Sequence, residues 1–246
     1  MRTSELKKLC LTNEINAAIN LLKKGLAELQ KIDGANDFYH LPLLLLSSGY
    51  ERLIKCLLCL AVMDDQGNIK NLPFKISGRE GHDLEALLNS LLSICEERRY
   101  SSTFPAAKAD IDLLTDDVHL REIVVLLSEF AKGDRYYNLD IVIGRSGEKS
   151  KDPNRSWDDI EKAIIHQQPD ILRRLNDLTQ DIDGIYKEIN RELVKVLEKF
   201  ARALSRLFVY ADFGDFAKQI SPLVHDSPPP PFKYQLLTPL LQEKFV

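Results

Sequence analysis

Apolar residues recur in this chain at intervals of three and four almost from one end to the other, a period that fits helices and not strands. Ile15, Ala18, Ile19, Leu22, Leu26 and Leu29 form one stripe, closed by Asp33-Gly34. A second helix starts near Pro42, a residue suited to a first turn, and carries Leu45, Tyr50, Leu53, Ile54, Leu57 and Leu60 to about Met63. Asp64 to Gly81 is a loop rich in Gly, Asn, Pro and Lys; Asp83 then starts a helix with Leu84, Leu87, Leu88, Leu91, Leu92 and Cys95 on one face. A further helix is expected over Asp116–Lys132, with Val118, Ile123, Leu126, Leu127 and Phe130 inward, ended by Gly133-Asp134. Arg135–Ile143 reads as a short helix or an extended piece, and Asp140–Ile143 is the one stretch with some strand character.

After Gly144 the chain turns polar, and the helical pattern resumes at Ser156, a good N-cap, with Trp157 and Ile160 inward and Asp158, Asp159 and Glu161 favouring the positive end of the helix. Between Ile185 and Tyr210, the residues Ile189, Leu193, Val196, Phe200, Ala203 and Leu207 alternate spacings of four and three, a seam for another helix in this chain or in a copy of it. Pro228–Pro231 imposes an extended polyproline stretch ahead of an apolar tail. The expected organisation is a helical core over 1–143, an exposed loop over 144–155, a C-terminal helical region over 156–226 that completes or extends the bundle, and a Pro-rich linker and tail over 227–246. The class is all-α, and 44% apolar residues suffice to fill a real core.

Charge narrows the functions. With 33 basic against 37 acidic side chains, the chain has no surface-wide positive field for gripping nucleic acid, although a local basic cleft is compatible with that balance. The most hydrophobic stretch, Leu41–Met63, has Glu51, Arg52 and Lys55 in its middle, so it is a buried core helix and no membrane association is expected. Residues 1–14 lack a secretory pattern, and the sparse cysteines suit a reducing compartment; a cytoplasmic location is the expectation. Cys56 and Cys59 form a C-x-x-C inside a Leu-rich helix with no second such pair, and read as small buried hydrophobes.

Three polar clusters can carry chemistry. Tyr50-Glu51-Arg52 with Lys55 places charges inside an apolar helix, as an internal Glu51–Lys55 ion pair or at a cleft. Gly78–Asp83 makes a tight turn before a helix, with Asp83 capping and His82 at the helix N-terminus. Arg135-Tyr136-Tyr137 follows a helix break and suits either stacking on a base and holding a phosphate, or closing a helix end.

Together, the helix segment Ser47–Leu58, the segment Gly81–Leu88 and the Arg135–Tyr137 motif resemble the HEPN superfamily (higher eukaryotes and prokaryotes nucleotide-binding), over roughly Ala35 to Asp140. The resemblance implies a bundle of four or more helices, often dimeric, from prokaryotic defence, toxin–antitoxin or RNA-processing systems. Many members are metal-independent ribonucleases using an Arg, four to six further residues and a His. Here Arg79 precedes His82 by only two intervening residues, and His119-Leu120-Arg121 has the wrong order, so the ribonuclease motif is missing. The expectation is a HEPN-like binding or regulatory module: a homodimer binding RNA or a nucleotide, or meeting a partner protein through its C-terminal helix or tail, with no cofactor and no metal. Its candidate ligand-binding residues are Lys55, His82, Arg135, Tyr136 and Tyr137, with His82 handling a proton or bonding the ligand and Lys55 and Arg135 holding anionic oxygens.

Two enzymes compete with this reading. One is a ribonuclease built from a non-standard His/Arg site. The other is an HD-type metal phosphohydrolase, since His40, His82-Asp83 and Asp134 or Asp140 fall in the right order for a divalent metal that activates water. Asp116-x-x-His119 is a weaker metal hint with one helix-turn spacing.

Overall fold

The computed structural model describes residues 2–64, 67–69, 71–76, 78–145, 151–175 and 181–225. Among these there are ten α-helices and no strand: α1 (Arg2–Leu29), α2 (His40–Val62), α3 (Leu84–Glu97), α4 (Ala107–Asp116), α5 (Val118–Lys132), α6 (Tyr137–Val142), α7 (Pro153–Gln167), α8 (Pro169–Leu175), α9 (Ile182–Tyr210) and α10 (Asp215–His225). The Pro-rich linker and tail expected over 227–246 lie outside the described residues.

The centre is α2, packed against α1, α3, α5 and α9. Its pairing with α1 is antiparallel, since Glu14 pairs with Arg52 near one end and Gly25 meets Leu45 and Leu46 toward the other. The two axes come close because Gly49 has no side chain: a Cβ there would lie 2.8 Å from the Leu22 side chain and 3.1 Å from its backbone nitrogen. One continuous apolar core runs from Leu11 on α1 to Ile220 on α10.

The seam of α9 is used inside this chain. Leu193, Phe200, Ala203 and Leu207 are buried in that core, and polar bonds fix the helix along its length. Asn190 Nδ2 donates to the Ile32 carbonyl at 2.7 Å; Tyr50 Oη donates to the Leu197 carbonyl at 2.6 Å, its ring stacked on Phe200 with centroids 4.4 Å apart. Toward the other end, Arg206 pairs with buried Asp110, which also accepts from Tyr100 Oη at 3.0 Å. Burial pushes the Asp110 carboxyl up from its usual range despite Arg206.

Several expected boundaries move, each for a local reason. The helix expected over roughly Asp116–Lys132 is α5, which starts two residues later, because Asp117 takes an extended conformation and caps the Leu120 amide at 2.9 Å. Val118, expected inward, is therefore the first residue of α5 and is 66% exposed. The same break puts Asp116 at the end of α4 and His119 on α5, so their apparent helix-turn spacing is not a shared turn. Asp140–Ile143 shows no strand; Asp140–Val142 belongs to α6. The cap of α7 is Asp152, which accepts from the Asn154 amide at 3.0 Å ahead of Pro153, and Ser156 lies inside the helix.

Candidate functional site

α2 and the turn before α3 bring two of the sequence clusters together. Glu51 lies on a face of α2 that the apolar stripe leaves at the core's edge; its side chain is only 13% exposed. Its Oε1 accepts from Lys55 Nζ at 2.7 Å, the expected ion pair, and its Oε2 lies 3.0 Å from His82 Nδ1. An ionised carboxylate only accepts hydrogen bonds, so Nδ1 of the imidazole is the donor in this contact. The imidazole is 38% exposed. Lys55 Nζ also stands 5.8 Å from the centroid of the Phe74 ring.

His82 is carried by a short 3-10 turn, Arg79–His82, held by close backbone packing. A Cβ at Gly81 would lie 2.9 Å from the Lys75 carbonyl oxygen and 3.0 Å from the Ile76 carbonyl carbon, so no larger residue fits without moving the loop that carries the imidazole. Immediately after it, Asp83 caps α3 as expected, accepting from the Ala86 amide at 3.0 Å, and it also accepts from Ser128 Oγ at 3.1 Å and Lys132 Nζ at 3.0 Å. Burial alone would raise the Asp83 carboxyl, but the Ala86 amide, Lys132 and Ser128 outweigh it and hold it below the usual carboxylate range. Lys132 also pairs with Glu129 at 2.7 Å, and these two carboxylates keep its ammonium above the ordinary lysine value against the effect of burial.

The third cluster stays apart. Arg135 lies in a 3-10 turn, Asp134–Tyr136, with its guanidinium 5.0 Å from the centroid of the Tyr136 ring and its Nε buried without a hydrogen-bond partner. Tyr136 is exposed and Tyr137, half-buried, opens α6. Both the His82 turn and the Arg135 turn pack against α5, yet among the described residues no hydrogen bond, ion pair or ring contact joins Arg135, Tyr136 or Tyr137 to the Glu51–His82 group.

Chemically, the edge at His82 is a partly exposed, carboxylate-oriented imidazole, with Lys55 held on its partner Glu51 and Lys132 held on the neighbouring Asp83. It can accept or donate one hydrogen bond, or move one proton; its charges nearly cancel. Nor do the residues of the metal reading gather. Among the described residues no three His, Cys, Asp or Glu side chains group closely enough to hold a metal ion. His40 instead packs edge-on against Phe130, centroids 5.1 Å apart, and beside Phe38. Cys56 is buried and Cys59 partly so, and burial pushes both thiols up, Cys59 to about 11, which makes them poor metal ligands and poor nucleophiles.

Sequence reasoning treated Glu51–Lys55 and His82 as separate clusters and missed Lys132 and Ser128, because the contacts run between α2, the 3-10 turn and α5. It also read Glu161 as an acidic residue favouring the positive end of a helix, whereas this side chain turns inward beside Trp157. The signal was present: Trp157 and Glu161 are spaced for the same helix face. Among the described residues, no helix is long and apolar enough to cross a membrane. No protein-family model, curated protein or solved structure matches the chain.

Proposed function

We propose that this chain is a HEPN-like helical module whose ligand edge is His82, with Lys55 and Lys132 beside it, and that it binds RNA or a nucleotide without cleaving it. The observation that carries this reading is the Glu51–His82 pair, which orients a partly exposed imidazole on a closely packed turn. Binding is favoured over catalysis by the electrostatics. Lys55 and Lys132 are each neutralised by carboxylates, and Arg135 stands over Tyr136, so none of these three cations is free to stabilise charge developing on a scissile phosphate. The arrangement of Glu51 against Nδ1 supports a second reading, in which Nε2 serves as a general base in a ribonuclease with a non-standard site.

Fluorescence anisotropy with short single-stranded RNA and with free nucleotides tests both readings. The wild-type chain should bind with an affinity that falls as salt rises, His82→Ala should weaken binding about tenfold (equivalent to about 1.4 kcal/mol), and the RNA should stay intact. No binding of either probe refutes the proposal; cleavage abolished by His82→Ala establishes the ribonuclease instead. A homodimer needs a surface other than the α9 seam. The apolar residues Tyr136, Leu139, Ile141, Val142 and Ile143 are exposed at α6 and supply one, and a monomer mass by light scattering would rule it out.

A further inference from the structure

Behind the start of α2, an acidic side chain sits where, among the described residues, no cation pairs with it. Glu161, on α7, is 8% exposed. Trp157 Nε1 donates to its Oε1 at 2.9 Å, and Tyr39 Oη lies 3.1 and 3.3 Å from its two oxygens. Tyr39 immediately precedes α2, and its ring is 5.5 Å from that of Trp157, so this carboxyl joins the middle of α7 to the start of α2. The other titratable groups around it offer no compensation. Asp158 on α7 repels its negative form, Tyr186 on α9 is a neutral phenol, and Asp37 acts on Tyr186 with the same sign. His40 is engaged with Phe38 and Phe130. On α8, Arg173 pairs with Asp170 and Arg174 with Glu188.

Both protonation states can be satisfied here, and this makes the site more than a tolerated defect. When the carboxyl is ionised, Tyr39 and Trp157 both donate to it. When it takes up a proton from water, the new O–H can donate to Tyr39 Oη, which accepts as readily as it donates, while the indole bond persists. The ionised form still bears the cost of a buried charge facing only neutral donors, and burial is the main cause that lifts this carboxyl above its usual range.

We infer that Glu161 is a proton-operated latch between α7 and the start of α2: proton uptake by its carboxyl tightens the docking of α7, and ionisation loosens it. α7 packs against α5 and receives the connection that carries Arg135, Tyr136 and α6, so the latch governs how firmly the far end of that connection is anchored. Because the folded-state value is raised, the stabilisation is complete below the unfolded-state value of about pH 4.3 and is lost as pH climbs through the higher folded-state value.

Trp157 is the single tryptophan of the chain and bonds directly to the carboxyl, so its emission reports the latch. The full-length protein is titrated from pH 8 to pH 4 with emission and far-ultraviolet circular dichroism recorded together. An emission transition with a midpoint clearly above 4.3, at constant helix content, is the expected result. Glu161→Gln, which mimics the proton-bound side chain, should abolish the transition and raise the melting temperature at pH 8 by about 3 °C, with the gap closing in acid. Flat wild-type emission, a change that occurs only together with loss of helix, or persistence of the transition in Glu161→Gln would each overturn the inference. So would a Glu161→Gln variant that melts below wild type or fails to fold at pH 8, because the ionised form would then be the preferred one.

Discussion

Replacing Glu51 by Gln keeps the shape of the side chain and removes its charge, leaving the Lys55 ammonium, whose side chain is 15% exposed, without its partner at 2.7 Å. Two limits bracket the effect. A fully exposed pair is worth about 0–1 kcal/mol, whereas removing one partner of a fully buried pair costs about 3–5 kcal/mol. At 13% and 15% side-chain exposure the pair lies closer to the buried limit, but Lys55 can still turn its ammonium toward water, so the expected loss is about 2 kcal/mol. For a chain of this size that is a fall in melting temperature of about 4–8 °C. Most of the loss comes from the stranded cation and not from a missing bond. Adding Lys55→Met to Glu51→Gln should therefore recover more than half of it, read by urea unfolding of wild type, both single variants and the double variant. Long-range nitrogen–proton NMR adds a second readout: His82 should be the Nδ1–H tautomer in wild type and a mixture in Glu51→Gln. A Glu51→Gln chain within about 0.5 kcal/mol of wild type, or a double variant no more stable than Glu51→Gln, would refute the reasoning.

Three further expectations follow from the packing. Tyr50→Phe removes the hydroxyl that donates to the Leu197 carbonyl at 2.6 Å and should cost about 1 kcal/mol in chemical denaturation, since the ring stack on Phe200 survives. Gly81→Ala forces a methyl against the Lys75 and Ile76 backbone; it should cost about 1–3 kcal/mol and, under the proposed function, weaken binding of the RNA probe by displacing His82, without loss of helix content. With a thiol-specific reagent at pH 7.5, exposed Cys10 should react first, while Cys59, pushed up to about 11, Cys95, pushed up to about 12, and buried Cys56 should lag by orders of magnitude; modification read by peptide mass spectrometry checks the order.

The candidate site was legible in its residue types and only half in its grouping. His82 and Lys55 stood out because a histidine at a capped helix start and a lysine in an apolar helix are locally conspicuous. Glu51 was seen as Lys55's partner, since their spacing fixes that contact within one helix. Its second bond, to His82, spans a loop whose path no local rule sets. Arg135 joined them only through the family resemblance, and the fold instead sets it against its neighbour Tyr136.

The fold divides along the same line. Helical period, the Asp83 cap and the Gly133 stop are properties of a few consecutive residues, so the sequence by itself determined an all-α chain, the body of α1, α2, α3, α5 and α9, and which faces of them seek a core. Finer boundaries moved where neighbouring residues could cap: Asp117 set the start of α5 two residues later, and Asp152 captured α7 from Ser156. Only the tertiary structure decided that the α9 seam closes on Tyr50 and Ile32 of its own chain, that the Glu51 carboxylate meets the His82 imidazole, and that Glu161 turns inward to Trp157 and Tyr39. The physical reason is range. Propensity and capping act over a turn or two of backbone, whereas burial and hydrogen bonding between distant segments depend on which apolar faces exclude water together, and that is settled by the whole core at once.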